Sequence, residues 1–314
     1  MEDKESLISW TCLSIFRDIK YLPLEVNFLI ENKIEKRITP KDFWERLYYR
    51  MKNIISCTAG EDCILCASNP NCIVGKIFFP VNKENRRSLL PRLRVIDVHQ
   101  RKKNLSSSII LFGECYKYLS YLYAAMTSID RNLRLLRITI HKEFSEKTVT
   151  LLDSYKIVLS GENLIESLDL FIERKMKSIN SRDEITITTK TPILVRAQLD
   201  NNPYNIIYYI IRNSLGKLFL LVNERSKNKL MKSLINKESI TNGVKVSGSN
   251  ISVSKKRFKS IRTGKSIFFS SISTKLSLMF KNQVKEILIP ILLSSQVTGI
   301  GRLSSWGYGN IKII

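Results

Sequence analysis

The chain has 314 residues, enough for one large or two ordinary domains, and its hydrophobic share of 44% and aromatic share of 9% exclude wholesale disorder. Its 51 Lys and Arg against 28 Asp and Glu leave a formal charge of +23, and the excess is lopsided: residues 1–185 hold 30 cations and 24 acids, residues 186–314 hold 21 cations and 4 acids. A surface that repels itself so strongly is best tolerated when a polyanion neutralises it; with no amphipathic lysine-rich helix to suggest a membrane, nucleic acid is the expected partner.

The acidic start, Met1-Glu2-Asp3-Lys4-Glu5, lacks the features of a signal peptide, and no apolar run reaches the roughly 18–20 residues of a spanning helix. A cytoplasmic location is therefore expected. Leu7 to Ile19, rich in Trp, Ile and Phe, reads as a strand. Thr39-Pro40-Lys41-Asp42 is a helix start, with Thr39 as N-cap and Pro40 in the first position, and Phe43, Leu47, Met51, Ile54 and Ile55 follow at helical spacing. Cys57, Cys63, Cys66 and Cys72 then cluster as C-x5-C-x2-C-x5-C. In a reducing compartment this spacing suggests a structural zinc held by four thiolates; a vestigial or disulfide-stapled loop is the alternative. Ile77 to Pro80, Leu93 to Val98 and Ser107 to Phe112 read as strands, Glu114 to Ser128 as a helix and Leu133 to Ile140 as a strand.

After a polar junction at Lys175 to Asp183 the pattern repeats. Glu184 to Thr189 and Ile193 to Leu199 are strands, Asn202-Pro203 opens a helix, Val244 to Val253 and Ile267 to Phe280 are strands, and Val284 to Val297 is a helix before a closing strand at Ile311 to Ile314. Strand, helix, two strands, helix, strand, twice over, is the order of two tandem ferredoxin-like (RRM-like, βαββαβ) domains in an α+β fold. The expected boundaries are 1–180, with a cysteine-rich insertion at 57–72, and 184–314.

Two segments suggest how nucleic acid is held. Lys255, Lys256, Arg257, Lys259, Arg262 and Lys265 place six cations in eleven residues, with Phe258 among them as a stacking platform. Near the C-terminus, Gly299, Gly301, Gly307 and Gly309 are interleaved with Arg302, Ser304, Ser305, Trp306 and Tyr308. Such density suggests main-chain N–H groups cradling phosphates; the plainer reading is a turn that lets the last strand fold back. The pattern G-x-x-x-x-G-K-[ST] is absent, so no mononucleotide loop is expected.

Across nearly its whole length the chain resembles the CRISPR-associated RAMP proteins, and within them the Cas-six type of repeat-processing endoribonuclease. The resemblance is carried by Cys72-Ile73-Val74-Gly75-Lys76-Ile77-Phe78, Pro91-Arg92-Leu93-Arg94-Val95, Ile110-Leu111-Phe112-Gly113-Glu114, Thr191-Pro192-Ile193-Leu194-Val195-Arg196 and the terminal G-I-G-R-x-S-x-W-G-Y-G. It implies tandem ferredoxin-like domains that bind CRISPR repeat RNA or crRNA and cut it by attack of a ribose 2′-hydroxyl. No cofactor would be required for catalysis, and the products would end in a 2′,3′-cyclic phosphate. It also implies a monomer or homodimer, with other CRISPR effector subunits as further partners; the alternative is a non-catalytic RAMP subunit that holds guide RNA.

Such chemistry needs a base, an acid and cations around the phosphorane. Many relatives carry a histidine in or near the first helix, and this chain has none there. The catalytic candidates are His99, among Arg92, Arg94, Arg101, Lys102 and Lys103, and the helix residues Arg46, Tyr49 and Lys52. His141, beside Lys142 and Glu143, is the weaker histidine candidate.

Overall fold

The computed structural model describes residues 14–57, 63, 66, 68–81, 89–147, 152–153, 156–157, 164–179, 181–196, 199–222, 235, 237–259 and 266–314. The chain divides into two compact units. The N-terminal unit is Lys20–Glu166 with Ser305–Gly307; the C-terminal unit is Ser167–Ser304 and Tyr308–Ile314, joined by residues 14–19.

In the N-terminal unit, β1 (Lys20–Ile30) places Leu22, Leu24, Val26 and Phe28 on one buried face. The strand begins where the expected one ended: residues 14–18 are helical, and residues 7–13 lie outside the described set. Helix α1 (Pro40–Ile54) starts as its sequence dictates. Thr39 Oγ1 accepts from Asp42 N at 3.2 Å and Asp42 Oδ2 accepts from Thr39 N at 2.9 Å, closing a capping box in front of Pro40. Phe43, Trp44, Leu47, Tyr48 and Met51 form its buried face, and Phe43 meets Phe28 edge-on, so α1 covers the Phe28 side of the sheet.

Ile77 to Pro80 is not a strand. Helix α2 (Ile73–Phe78) ends within this stretch, burying Val74, Ile77 and Phe78 at helical spacing, and Phe79 and Pro80 follow it in no regular element. Asn69 anchors it, donating through Nδ2 to Phe79 O at 3.0 Å, while Gly75 lies so close that a Cβ would fall 2.5 Å from Asn69 O. Strands β2 (Leu93–Gln100) and β3 (Asn104–Phe112) form a hairpin. The expected helix from Glu114 begins as a 3-10 turn, Gly113–Tyr118, and continues as α3 (Leu119–Thr127) before β4 (Leu133–Ile140). The sheet order β2-β3-β1-β4, all antiparallel, is that of a ferredoxin-like domain. Short strands β5 (Leu152–Asp153) and β6 (Lys156–Ile157) pair beyond it, and β7 (Glu166–Ser167) follows.

Helix α4 (Leu168–Ile179) groups with the C-terminal unit, so the division falls at Glu166/Ser167 rather than at Lys175 to Asp183. Strand β8 (Glu184–Thr189) and β9 (Ile193–Val195) precede α5 (Pro203–Leu221), which Asn202 caps by accepting from Tyr204 N at 2.9 Å. Strand β9 stops at Val195, short of the expected Leu199. Helix α6 (Lys237–Gly243) leads into the long hairpin β10 (Val244–Lys259) and β11 (Ser266–Phe280), then α7 (Asn282–Thr298) and β12 (Ile311–Ile313). The order β10-β11-β8-β12 repeats the first unit's topology. Each unit is thus a βαββαβ domain of an α+β fold. No helix among the described residues is long and apolar enough to cross a membrane.

Candidate nucleic-acid interface

Strand β11 pairs with β8 only from Lys275 to Met279 and with β9 only from Ser270 to Ile272. Its first residues pair with β10 alone, so the basic cluster sits on the end of a two-stranded ribbon. Residues opposite one another share a face. Register puts Lys255 across from Ser270 and Arg257 across from Phe268; the other face carries Lys256 across from Phe269 and Phe258 across from Ile267. Lys255 is exposed and Lys256 half-buried, and neither makes an ion pair among the described residues. Arg257 Nε donates to Ser266 Oγ at 2.8 Å, and its guanidinium lies 6.0 Å from the Phe268 ring centre. Lys259 ends the strand, while Arg262 and Lys265 lie outside the described residues.

The aromatic available for stacking is not the expected one. Phe258 is half-buried, edge-on to Phe269 at 5.6 Å and to Tyr308 at 5.3 Å. Phe268 is 63% exposed beside Arg257. An exposed ring with a guanidinium over it offers a base a stacking surface and its phosphate a cation.

The glycine-rich loop is built around close backbone packing. Gly301 has φ +74, and a Cβ on it would lie 2.5 Å from Leu194 O and 2.9 Å from Ile193 Cγ2. Gly309, at φ +65, lies against the carbonyl of Ile300. The loop's amides point inward: Gly299 N donates to Ser295 O, Ile300 N to Gly309 O, Arg302 N to Leu194 O and Gly309 N to Pro192 O, all between 2.7 and 2.9 Å. The cradle of free N–H groups expected at Gly299, Gly301 and Gly309 is therefore not formed. Packing against β9 and within the loop accounts for these glycines.

What the loop presents is Arg302, exposed and without an ion pair among the described residues. Helix α5 holds it from below. Asn213 Oδ1 accepts from Gly301 N at 2.7 Å, and the buried Lys217 donates through Nζ to Gly299 O at 2.9 Å and Ser304 Oγ at 2.6 Å. One turn earlier, burial pushes the Tyr209 hydroxyl up to about 12, with the charge of Arg302 working against it. Tyr209, Asn213 and Lys217 recur every four residues in a helix otherwise rich in isoleucine, a signal that sequence reasoning missed. Ser305 and Gly307 group with the N-terminal unit, where Ser305 O accepts from Val95 N at 2.9 Å. Trp306, 9% exposed, packs there 5.9 Å from the Trp44 ring.

The catalytic candidates do not converge. Arg46 is tied to Asp130. Tyr49 is 44% exposed, with Tyr48 as its ring neighbour at 5.0 Å, and Lys52 Nζ lies 5.7 Å from the centre of Tyr48. All sit on α1, which covers the Phe28 face. His99 pairs in register with Ser106, and Ser106 with Asn27, on the opposite face. There His99 Nε2 lies 3.4 Å from Asp97 Oδ2 with its side chain mostly exposed. His141 stands apart at the end of β4, its Nδ1 accepting from Glu143 N at 3.2 Å.

No three metal-ligating side chains among the described residues, Cys57, Cys63, Cys66 and Cys72 included, converge to hold an ion. Cys63 is buried, its Sγ 3.1 Å from Tyr48 Oη, and burial pushes its thiol up. Cys63 and Cys72 form no disulfide among the described residues.

No protein-family model and no curated protein sequence matches the chain. Solved structures do resemble it. A partial Cas6-RT-Cas1–Cas2 complex superposes with a TM-score of 0.55 at 10% identity, covering 94% of this chain and 46% of that one, so the chain spans about half of that neighbour. A Cas6 product complex gives 0.52 at 14% identity, covering 94% and 100%. Thermus thermophilus Cas6 gives 0.50 at 12% identity, covering 94% and 99%. At such identities the likeness is one of fold: two successive βαββαβ domains, laid out along the chain as in these proteins.

Proposed function

We propose that this chain binds CRISPR repeat RNA and cleaves it without a metal, through attack of the ribose 2′-hydroxyl on the adjoining phosphate. The observation that carries the reading is the end of the β10–β11 ribbon, where Lys255, Lys256 and Arg257 accompany an exposed Phe268. A long, acid-free ribbon of this kind suits an RNA backbone, and its aromatic suits a splayed base. The shared architecture with Cas6 structures supports the same assignment, and association with other CRISPR subunits belongs to this proposal.

In this reading Arg302 and the ribbon hold phosphates, and His99 moves the proton. Asp97, whose Oδ2 lies 3.4 Å from Nε2, orients the ring and leaves Nδ1 to take the 2′-hydroxyl proton, which passes on to the departing 5′-oxygen. A second reading, a non-catalytic holder of guide RNA, is favoured by one observation: Arg46 is already ion-paired, and the α1 residues and His99 occupy opposite faces of one sheet.

The test is incubation with labelled repeat RNA from the protein's own host in excess EDTA. A single cut ending in a 2′,3′-cyclic phosphate, slowed in His99→Ala without loss of binding, is the expected result. Tight binding with no cut would replace the nuclease by the holder. Absence of binding would overturn both.

A further inference from the structure

The N-terminal unit carries a recess of about 580 Å³ where the β1–α1 loop meets the β2–β3 turn. Four cations line it: Lys33 and Arg37 from the loop, Arg101 and Lys102 from the turn. All four are exposed, and none makes an ion pair among the described residues. The carboxylate in the lining, Glu31, is already engaged by Arg134 Nε at 3.1 Å.

This grouping is not a run of charge along one segment, which would ordinarily be a solvated face. The fold brings the two segments together and fixes them. Ile30 N donates to Lys103 O at 2.8 Å, Ile38 N donates to Gln100 Oε1 at 3.1 Å, and Arg101 N closes the turn onto Asn104 O at 2.8 Å. Like charges held around one concavity repel, and no ion pair among the described residues relieves the four. A bound anion would do so. Among the described residues no aromatic side chain lines the recess, so a base finds no ring to stack on there. The lining matches the oxygens of phosphodiesters and takes no account of sequence.

We propose that this recess is a phosphate-binding site through which the N-terminal unit grips the RNA backbone, separately from the β10–β11 ribbon. The proposal rests on the RNA-binding reading above and extends it to a unit whose modest net charge gave no hint of it.

The test uses the full chain, single-stranded host repeat RNA with a fluorescent label, and binding anisotropy across a salt series. Each lost phosphate contact to single-stranded nucleic acid lowers the slope of log affinity against log salt by about 0.7. The double variants Arg101→Gln/Lys102→Gln and Lys33→Gln/Arg37→Gln should each lower it by about 1.4. Their side chains are exposed, so thermal melting should match the parent. Lys255→Gln/Lys256→Gln serves as the reference for the ribbon. If the ribbon variant lowers the slope and both recess variants leave it unchanged, the recess is not an RNA site, while the RNA-binding reading stands. If the parent chain binds no RNA at any salt, that reading falls and this one with it. A titration with inorganic tripolyphosphate completes the set. Saturable binding abolished by the recess variants, with the RNA slope untouched, would assign the recess to a free polyphosphate and overturn the backbone proposal.

Discussion

Gly301→Ala adds one methyl group and tests whether the terminal loop is shaped by packing. Two costs can be worked out from its surroundings. At φ +74 an L-residue is in the left-handed region, which costs about 1–2 kcal/mol. The new Cβ would also stand 2.5 Å from Leu194 O and 3.2 Å from Leu194 N, both backbone atoms of β9 that cannot rotate away. Retreat would stretch the 2.7 Å bonds from Arg302 N to Leu194 O and from Gly301 N to Asn213 Oδ1, adding about 1–3 kcal/mol in the manner of an overpacked core. The total is about 3 kcal/mol, or roughly 6–12 °C in the melting of the C-terminal unit. Gly113→Ala is the control. Its φ is +61 and nothing lies within 4 Å of a Cβ there, so only the backbone cost of about 1–2 kcal/mol applies. Calorimetry on the full chain reads both variants and separates the two transitions if the units melt apart. Equal losses in the two variants would refute the close approach at Gly301 and reopen the loop as a free anion cradle.

The ribbon and the first helix yield two further expectations. Phe268→Ala should weaken binding of single-stranded repeat RNA by about 1–3 kcal/mol with little change in melting. Phe258→Ala, which removes a ring packed between Phe269 and Tyr308, should chiefly lower the melting temperature; the reverse pattern would restore Phe258 as the stacking residue. At the first helix, burial works to raise the Asp42 carboxyl, but its bonds with Thr39 and the charges of Lys36 and Lys41 hold it below its ordinary value. The stabilisation is therefore complete above the unfolded carboxylate pKa and is lost as pH falls through the folded one. Thr39→Ala should cost about 1 kcal/mol at neutral pH, a gap that narrows on acidification below about pH 4 as the bond from Thr39 Oγ1 to the Asp42 carboxylate is lost, and that is read by denaturant titration at each pH. A gap that stays constant into acid would show that Asp42 takes no part.

What could be read in the chain beforehand was local. The Thr39-Pro40-Lys41-Asp42 start of α1 needs only a turn of neighbouring residues to act, and it formed as read. The order of strands and helices was legible for the same reason, because period and punctuation survive without tertiary contacts. The strands expected at Leu7 to Ile19 and at Ile77 to Pro80 are helical at residues 14–18 and at Ile77 and Phe78, because short, β-branched and aromatic runs satisfy either period. What surrounds them decides, as Asn69 does against Gly75. The cradle at the terminal loop was beyond reach in another way. Gly301 meets Leu194 and its amide is capped by Asn213, 88 residues upstream, so its purpose could not be read beside it.

Register is the level at which the candidate site was decided, and one residue shows how. Leu93 and Val95 face the core opposite Leu111 and Ile109, and plain alternation would have sent Asp97 and His99 into that core behind them. Between Val95 and Asp97 the pairing with β3 slips by one, at Ile96. From there the two faces are exchanged. Val98 turns inward opposite Ser107, and Asp97 and His99 turn outward opposite Ser108 and Ser106. A bulge thus converts what would have been two buried ionisable groups into a neighbouring pair, a mostly exposed His99 beside a half-buried Asp97. The same slip carries that pair away from Arg46, Tyr49 and Lys52. Any proton transfer by His99 must therefore take its phosphate-holding cations from the open face or from the bound RNA's other contacts, and not from the first helix.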